Sequence, residues 1–346
     1  MNRDVFYVLL AAALFGASTP FAKLLVGDEA PVMLAGLLYL GSGIGLTLIR
    51  LVRDRGWKSP NLAITEWPWF LGAILLGGVL GPVALLLGLS HTTGSTASLL
   101  LNLEAVLTAV IAWTVFRESA DKRIVLGMVA IVLGGVVLSL QTDGSSLSNW
   151  IGPVLIALAC LCWAIDNNLT RKVSASDASF IAGVKGLIAG TVNCVLALLL
   201  GLSLPAGLVV ISAMALGLLG YGLSLVLFVL ALRGLGTART GAYFSTAPFI
   251  GAAISVLLLG ESTGVLFWVA ATLMAIGVWL HLTERHEHEH HHEPLDHQHS
   301  HTHDVHHQHI HNFAWDGHEP HVHRHVHVEV THKHPHYPDI HHRHTH

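Results

Sequence analysis

The C-terminal segment of this sequence has the residues with the plainest chemistry, because histidine recurs there at every second position. Residues 286–346 contain 25 of the chain's 27 histidines. In an extended chain, residues i and i+2 lie on one side, about 6.6 Å apart, so two neutral imidazoles can bind one cation. The alternating pattern predicts metal-ligating histidines at His286, His288, His290, His297, His299, His301, His303, His321, His323, His325, His327, His332, His334 and His336.

Such histidines suit Zn, Ni, Co or Cu, all of which accept neutral imidazole as a ligand. Overlapping sites with interleaved acids favour several ions of graded affinity over one tetrahedral cage. Two other interpretations stay open. The segment can be a low-complexity disordered tail whose metal binding is incidental. It can also sense acid, since protonating half of its histidines near pH 6.5 adds about twelve positive charges and favours contact with anionic lipid.

Three ionisable residues occur inside long apolar stretches, where a charged group costs about 2.5–3.5 kcal/mol. Glu104 is one of them, with Asn102 close by in sequence and Thr108 on the same helical face at i+4. Desolvation favours the protonated form of a carboxyl group, which would suit coupling to a proton gradient. The alternative is a carboxyl group that hydrogen-bonds a neighbouring helix and only holds the bundle together.

Asp166 and Lys185 are the other two ionisable residues in apolar surroundings. Their expected depths in the membrane differ by only about 5 Å. They can form an ion pair between adjacent helices, or they can contact a transported molecule directly. Asn167, beside Asp166 in sequence, adds hydrogen-bonding capacity to the same helix.

A second polar stretch matches the one around Glu104 when the two halves of the chain are compared. It contains Tyr243, Thr246 and Pro248, with Ala247 in the place of Glu104, so only one half carries the acid. Pro248 interrupts the i to i−4 hydrogen-bond ladder. That interruption would open the helix where a cargo passes, or would serve packing alone.

The elements that must position these residues are membrane helices. The chain is 52% hydrophobic and only 12% charged, against roughly 25% charged residues in an average soluble domain. It contains a series of apolar windows of about 20 residues, the length of a membrane-spanning helix. The ten windows are residues 5–26, 32–52, 67–89, 95–116, 121–140, 150–170, 177–201, 208–231, 239–259 and 263–282.

Other classes of protein are not indicated. The sequence has no phosphate-binding Gly-Lys-Ser/Thr loop, no Ser-His-Asp arrangement and no HExxH helix, so we do not predict an enzyme. Nucleic acid is not an expected partner. Cys160, Cys162 and Cys194 fall in apolar windows and are expected to be buried thiols. No cofactor is required, although the tail predicts a divalent transition metal.

Basic residues are distributed unevenly between the connections, which predicts the orientation. With the N-terminus in the cytoplasm, the inward connections carry Arg50, Arg53, Arg55, Lys58, Arg117, Lys122, Arg123, Arg171, Lys172, Arg233 and Arg239. The outward connections have no basic residue apart from Lys23 at a helix end. The positive-inside rule therefore puts both termini, and with them the histidine tail, on the cytoplasmic side of the cell membrane. The first window is expected to be retained as a span.

The two halves of the apolar region resemble each other. The segment Gly94-Ser-Thr-Ala-Ser98 matches Gly236-Thr-Ala-Arg-Thr240, and Phe116-Arg-Glu118-Ser119 matches Leu259-Gly-Glu261-Ser262. A unit of five spans is odd-numbered, so its second copy must be inverted in the membrane. The predicted fold is an all-α membrane protein of ten helices in two inverted five-helix repeats, residues 1–143 and 144–282, followed by a disordered cytoplasmic tail at 283–346.

These features resemble the drug/metabolite transporter superfamily, in its ten-span type built from two EamA domains. The resemblance covers residues 5–282. It rests on the span count, the repeat, the opening Leu14-Phe15-Gly-Ala17 with its echo Cys162-Trp163-Ala164, and the junctions at Glu118 and Glu261. It implies a carrier that exports small metabolites or toxic compounds, often in exchange for protons.

The sequence thus favours secondary active transport of a small molecule by alternating access, with the tail as a metal-binding regulator. Two alternatives are a divalent metal exporter that receives ions from the tail, and a membrane sensor of metal or pH that transports nothing. The expected partners are the small-molecule cargo, membrane lipid, and Zn, Ni, Co or Cu ions. A homodimer is a further possibility.

Overall fold

The computed structural model describes residues 3–26, 30–56, 62–115, 122–140, 150–173, 176–235 and 237–283, together with four tail strands at 287–292, 296–301, 321–326 and 330–335. Every described element between residues 3 and 283 is helical. The α-helices are α1 (Arg3–Val26), α2 (Pro31–Asp54), α3 (Trp67–Ala73), α4 (Gly81–Ser90), α5 (Gly94–Leu100), α6 (Leu103–Val115), α7 (Lys122–Ser139), α8 (Ile151–Arg171), α9 (Ala178–Leu199), α10 (Gly207–Gly217), α11 (Ser224–Leu235), α12 (Thr237–Phe244), α13 (Ala247–Leu257) and α14 (Val265–Leu282).

Within the described ranges, eight helical stretches are long and apolar enough to cross a membrane, which confirms the prediction of an integral membrane protein with many helices. They are Arg3–Val26, Pro31–Asp54, Ile64–Ser90, Gly94–Val115, Lys122–Ser139, Ile151–Thr170, Ala178–Leu199 and Gly207–Ala231. The ninth and tenth predicted windows contain the shorter apolar helices Ala247–Leu257 and Val265–Leu280. The ninth window is divided because a turn at Ser245 and Thr246 separates α12 from α13.

The helices are interrupted at matching places in the two halves. A π-helical segment, Ile74–Leu80, joins α3 to α4, and a second one, Leu218–Leu223, joins α10 to α11. A turn at residues 101–102 separates α5 from α6, as the turn at 245–246 separates α12 from α13. The order of elements is therefore repeated.

The packing of the helices follows the same repetition. Two pairs of corresponding helices pack together, α2 against α9 and α7 against α14, and α5 packs against α13. At the α2–α9 interface, a Cβ on Gly43 would lie 2.3 Å from the backbone nitrogen of Leu187, and one on Gly190 would lie 2.5 Å from that of Leu40. In the first contact the glycine lies on α2 and in the second it lies on α9, as expected for two helices related by a local two-fold axis. Small residues permit this close approach in a membrane, where packing drives association.

One end of this interface is held by an acidic cap. The Asp177 carboxylate accepts hydrogen bonds from the backbone N–H groups of Ser179 (2.8 Å) and Phe180 (3.3 Å) at the start of α9. It also pairs with Arg53 at 2.6 Å and Arg50 at 3.3 Å, both near the end of α2. Burial alone would raise the pKa of Asp177, but the Arg53 guanidinium and the two N–H groups hold that pKa below its ordinary value.

The cap predicts a stability that depends on acidic pH. Asp177→Ala should destabilise the protein by about 0.5–2 kcal/mol at neutral pH, because the start of α9 loses its cap. Since the folded-state pKa is depressed, the charge contributes fully above the unfolded pKa of about 3.9 and is lost as pH falls through the lower folded value. Thermal unfolding in detergent at several pH values measures this difference between wild type and variant.

Asp177→Asn is the matched control, because asparagine still caps a helix but cannot titrate. The Asp177→Asn variant should cap α9 about as well as the wild type, and it should lose the part of the stability that depends on acidic pH. A wild-type minus Asp177→Ala difference that is the same at pH 7 and below about pH 4 would contradict the ionic contribution.

The described parts of the tail form strands, which differs from the disordered tail predicted above. Strand β1 (Glu287–His292) pairs with β4 (Val330–Pro335), and β2 (Asp296–His301) pairs with β3 (His321–Val326), both antiparallel. The prediction of disorder rested on the lack of apolar residues for a core. Antiparallel pairing needs no core to satisfy the backbone, because the N–H and C=O groups of the two strands bind each other.

Candidate substrate and coupling site

An ion pair between Asp166 and Lys185 connects α8 to α9. Lys185 Nζ donates to Asp166 Oδ2, and the other carboxylate oxygen, Oδ1, accepts the hydroxyl of Thr170 at 2.9 Å. Both members of the pair are buried, Asp166 at 6% and Lys185 at 8% exposure. The pair removes two unpaired charges from apolar surroundings and ties two helices together.

The π-helical segment Ile74–Leu80 packs directly against this pair. A Cβ on Gly77 would lie 1.9 Å from Asp166 Oδ2, so only glycine fits at this position. The Gly77 carbonyl accepts the Tyr39 hydroxyl at 2.8 Å and the Trp163 indole N–H at 3.0 Å. A π-turn changes the usual i to i−4 pairing, and these two side chains provide partners for the carbonyl.

Glu104 is the half-buried acid of the site. It lies in the first turn of α6, where the helix dipole favours negative charge. The amide nitrogen of Asn167 donates to Glu104 Oε1 at 2.8 Å, and the Asn167 side chain is exposed. Two successive residues of α8 thus have different partners, because buried Asp166 binds Lys185 while Asn167, whose side chain is exposed, binds Glu104.

The other polar residues predicted around Glu104 do not join it. Asn102 is buried, and its amide donates to the backbone carbonyl of Leu99 at 2.9 Å. The turn at residues 101–102 separates Asn102 from α6, whereas Thr108 follows Glu104 at i+4 within α6. The Thr108 hydroxyl oxygen is buried with no hydrogen-bond partner among the described residues.

The polar stretch of the second half lies at the junction of α12 and α13. Tyr243 is exposed, and Thr246 Oγ1 donates to its backbone carbonyl at 2.7 Å. Pro248 is buried in the first turn of α13, where its missing N–H costs no hydrogen bond. No hydrogen bond between described residues connects these three to Glu104 or to the Asp166–Lys185 pair.

Aromatic rings fill the space between the two halves. Phe15 of α1 contacts Trp163 of α8 edge to face with ring centroids 6.3 Å apart, and it contacts Tyr221 at 6.0 Å. Tyr221 lies in the second π-helical segment and packs on Tyr39 at 5.5 Å. Phe244 of α12 completes the group at 5.4 Å from Phe15. The indole N–H of Trp163 also binds the Gly77 carbonyl beside Asp166, so the aromatic group adjoins the buried ion pair.

The two ends of the region between the halves differ in packing. At one end, α5 packs against α13, and the Glu261 carboxylate accepts the N–H groups of Gly94 and Ser95 at 2.8 Å each. At the other end, α6 and α12 share no comparable interface within the described ranges. Glu261 precedes α14 in the chain, yet its carboxylate caps α5. Glu118 lies outside the described residues.

The histidines predicted to bind metal are described only in part. The backbone is described at His288, His290, His297, His299, His301, His321, His323, His325, His332 and His334, and the other four lie outside the described residues: His286, His303, His327 and His336. Among residues whose side chains the structure describes, no group of three His, Cys, Asp or Glu is placed to hold a metal ion. Metal binding by the tail stays a prediction.

Comparison with known proteins identifies the family. The sequence pattern of the EamA-like transporter family matches residues 3–140 and again residues 150–283. An uncharacterized transporter of Methanothermobacter thermautotrophicus is 27% identical over 79% of this chain and 84% of its own length. The uncharacterized transporter YyaM of Bacillus subtilis is 25% identical over 80% and 93% of the two chains.

Two further likenesses agree with this result. The uncharacterized inner membrane transporter YedA of Escherichia coli K12 is 24% identical over 79% of this chain and 89% of its own. A crystal structure with 18% identity has the same fold, with a TM-score of 0.60 over 80% of this chain and 95% of the other. The predicted resemblance to the drug/metabolite transporter superfamily is confirmed, and the chain belongs to the EamA-like transporter family.

Proposed function

We propose that this protein is a proton-coupled carrier that exports a small organic molecule through the region between its two halves. The observation that carries the proposal is the Glu104–Asn167 contact. A carboxyl group inside a membrane helix is costly if it faces lipid, so a half-buried carboxyl group beside an exposed amide suits a water-filled path. In this proposal, Glu104 takes up and releases the proton, while the Asp166–Lys185 pair holds α8 in place.

The repeated architecture supports alternating access. The matched π-helical segments, the matched turns and the exchanged glycine contacts of α2 and α9 all fit two inverted five-helix repeats, with α12–α13 and α14 as the ninth and tenth spans. Inverted repeats allow one half to rock against the other about a shared site. We place both termini in the cytoplasm, as the basic residues predict.

The unequal packing of the two ends supports an inward-open form. In the proposed orientation, α5, α13 and Glu261 lie on the outer side, which is closed. The inner halves of the fourth and ninth spans, α6 and α12, then border the open side. Such a form is the one that a cytoplasmic cargo enters before export.

The cargo class follows from the lining of the site. Phe15, Trp163 and Phe244 offer aromatic faces, and Glu104 and Asn167 offer an acid and an amide. These groups suit an organic molecule with an apolar body and a polar or cationic end. A small metabolite or a toxic compound of this kind is the proposed cargo.

A divalent metal exporter that receives ions from the tail is the second candidate, and the 25 tail histidines favour it. The described side chains of the spans offer no group of three metal ligands. Deleting residues 286–346 separates the two functions. We expect the truncated carrier to keep its flux of organic cargo and to lose only its response to metal. Raised cellular metal content or lost metal tolerance in the truncated strain would favour metal as the cargo.

The experiment for the main proposal is transport in proteoliposomes with an imposed pH gradient. Aromatic amines, amino acids and other small metabolites are screened as labelled cargo, with protein-free vesicles as the control. We expect at least one class to move against its gradient when the pH gradient is present and to stop when an ionophore removes it. If no compound moves with or without the pH gradient, a sensor that does not transport becomes the better interpretation.

A further inference from the structure

The strand pairing of the tail places histidine opposite histidine. In the antiparallel register of β2 with β3, and of β1 with β4, five pairs of residues are histidine on both strands. These register pairs are His297 with His325, His299 with His323, His301 with His321, His288 with His334, and His290 with His332. Within each ladder the pairs are two residues apart, so they occupy one face of that ladder.

Both ladders follow a single register. Glu287 pairs with Pro335 and Asp296 pairs with Val326, so moving nine positions forward on one side moves nine positions back on the other. The two ladders therefore share one antiparallel register. Glu289 pairs with Lys333 in the same register, and opposite charges at such positions stabilise a pair of strands.

Cross-strand placement suits a metal ion better than placement along one strand. Directly opposite residues in an antiparallel pair have Cβ atoms about 4.5–5.5 Å apart, whereas residues i and i+2 of one strand are about 6.6 Å apart. Metal–nitrogen bonds of about 2.0–2.1 Å require the imidazole nitrogens to come close together. One register pair supplies two ligands, and two successive pairs supply the four of a tetrahedral site.

We propose that divalent transition metal ions bind between histidines paired across the strands, and that this binding stabilises the hairpin of the tail. An isolated two-stranded hairpin is marginally stable in water, so ions that bind only the paired form favour it by mass action. The inference rests on the proposed metal binding of the tail, and it specifies where the ions bind. The cytoplasmic tail then changes between an open and a paired state with metal concentration.

The test counts ions bound by the full-length protein in nanodiscs, with Zn²⁺ or Ni²⁺ alone as the probe in isothermal titration. The first triple variant replaces His297, His299 and His301 of β2 by alanine, and the second replaces His321, His323 and His325 of β3. A third variant combines all six changes. The matched control replaces three histidines outside the strands, His306, His307 and His309.

If ions bind across the strands, each triple variant loses as many high-affinity ions as the sextuple variant, because either strand alone supplies half of each site. The affinity of the lost sites should fall at least about tenfold, since even changes to outer-shell partners of metal ligands cost about 10–100-fold. The control should keep the stoichiometry of the wild type. Hydrogen exchange at residues 296–301 should slow on adding metal in the wild type and in the control only.

Two outcomes would overturn the inference, and they are distinguishable. If each triple variant loses about half of what the sextuple variant loses, the ions bind along single strands, and only the cross-strand arrangement is wrong. If the wild type binds no ion above the level of a chain truncated at residue 286, the proposed metal binding of the tail fails as well. Neither outcome bears on cargo transport by the helices.

Discussion

Glu104→Gln is expected to abolish transport driven by a pH gradient while leaving the protein folded in the membrane. Glutamine has nearly the same shape as glutamate, and its carbonyl oxygen can still accept the hydrogen bond that Asn167 donates at 2.8 Å. It cannot take up or release a proton. Removing a charged group from the membrane interior also does not cost stability, because the group is expensive there. The loss should therefore fall on coupling alone.

The measurement compares two modes of transport in proteoliposomes. Uptake against a cargo gradient, driven by pH, should fall to the level of protein-free vesicles. Exchange of labelled for unlabelled cargo at equal pH should persist, since it needs no net proton movement. Glu66→Gln is the control, because it removes a carboxylate that only binds the backbone N–H of Ala63 at 2.8 Å. Glu104→Gln with wild-type accumulation would contradict a coupling role for Glu104.

Asn167→Ala provides a second view of the same site. It removes the hydrogen bond to Glu104 but leaves the carboxyl group in place. We expect this variant to keep some coupling and to show a shifted dependence of flux on pH. The pair of variants separates the proton carrier from the residue that positions it.

Much of the fold followed from composition because a membrane allows few solutions. Only helices satisfy all of their backbone groups locally, so apolar windows of about 20 residues indicate spans. The pairing of Asp166 with Lys185 was predictable for a similar reason, since helical rise fixes depth and depth limits the partners. Depth and periodicity are local properties of the sequence.

The parts that could not be predicted depend on contacts distant in sequence. The π-helical segment at Gly77 is stabilised by Tyr39 and Trp163, and nothing in the sequence near Gly77 indicates those partners. Glu261 caps a helix 167 residues away, for which the only signal was its place in the repeated junction. The turn at residues 101–102 separates Asn102 from the helix that carries Glu104, because a turn interrupts helical periodicity.

The structure also shows a partner of Glu104 that sequence spacing did not indicate. Sequence spacing placed Asn102 and Thr108 close to Glu104, whereas the hydrogen bond of Glu104 comes from Asn167 of another helix. Phe15 and Trp163 belong to matching motifs in the two halves of the sequence, and in the structure their rings contact each other. A motif that occurs in both halves of the chain is therefore a useful signal for residues that meet between them.

Single substitutions at the buried ion pair are expected to have the largest effect on stability. Asp166→Asn leaves Lys185 charged, and Lys185→Met leaves Asp166 charged, in a place where each residue is less than 10% exposed. Removing one partner of a buried pair costs about 3–5 kcal/mol, because the remaining charge has lost its counter-charge. Both single variants should be recovered in low yield and should unfold at lower temperature in detergent.

The double variant Asp166→Asn with Lys185→Met should recover stability, because it leaves no charge to compensate. Asparagine can still accept the Thr170 hydroxyl, and methionine fills the space of the lysine chain. Both carboxylate oxygens of Asp166 are occupied in the wild type, so we expect the pair to position α8 rather than to contact the cargo. The double variant should therefore both fold and transport cargo, with Asn167 still placed beside Glu104. A stable double variant with no flux and an unchanged pH dependence of cargo binding would instead put the pair in contact with the moving molecule.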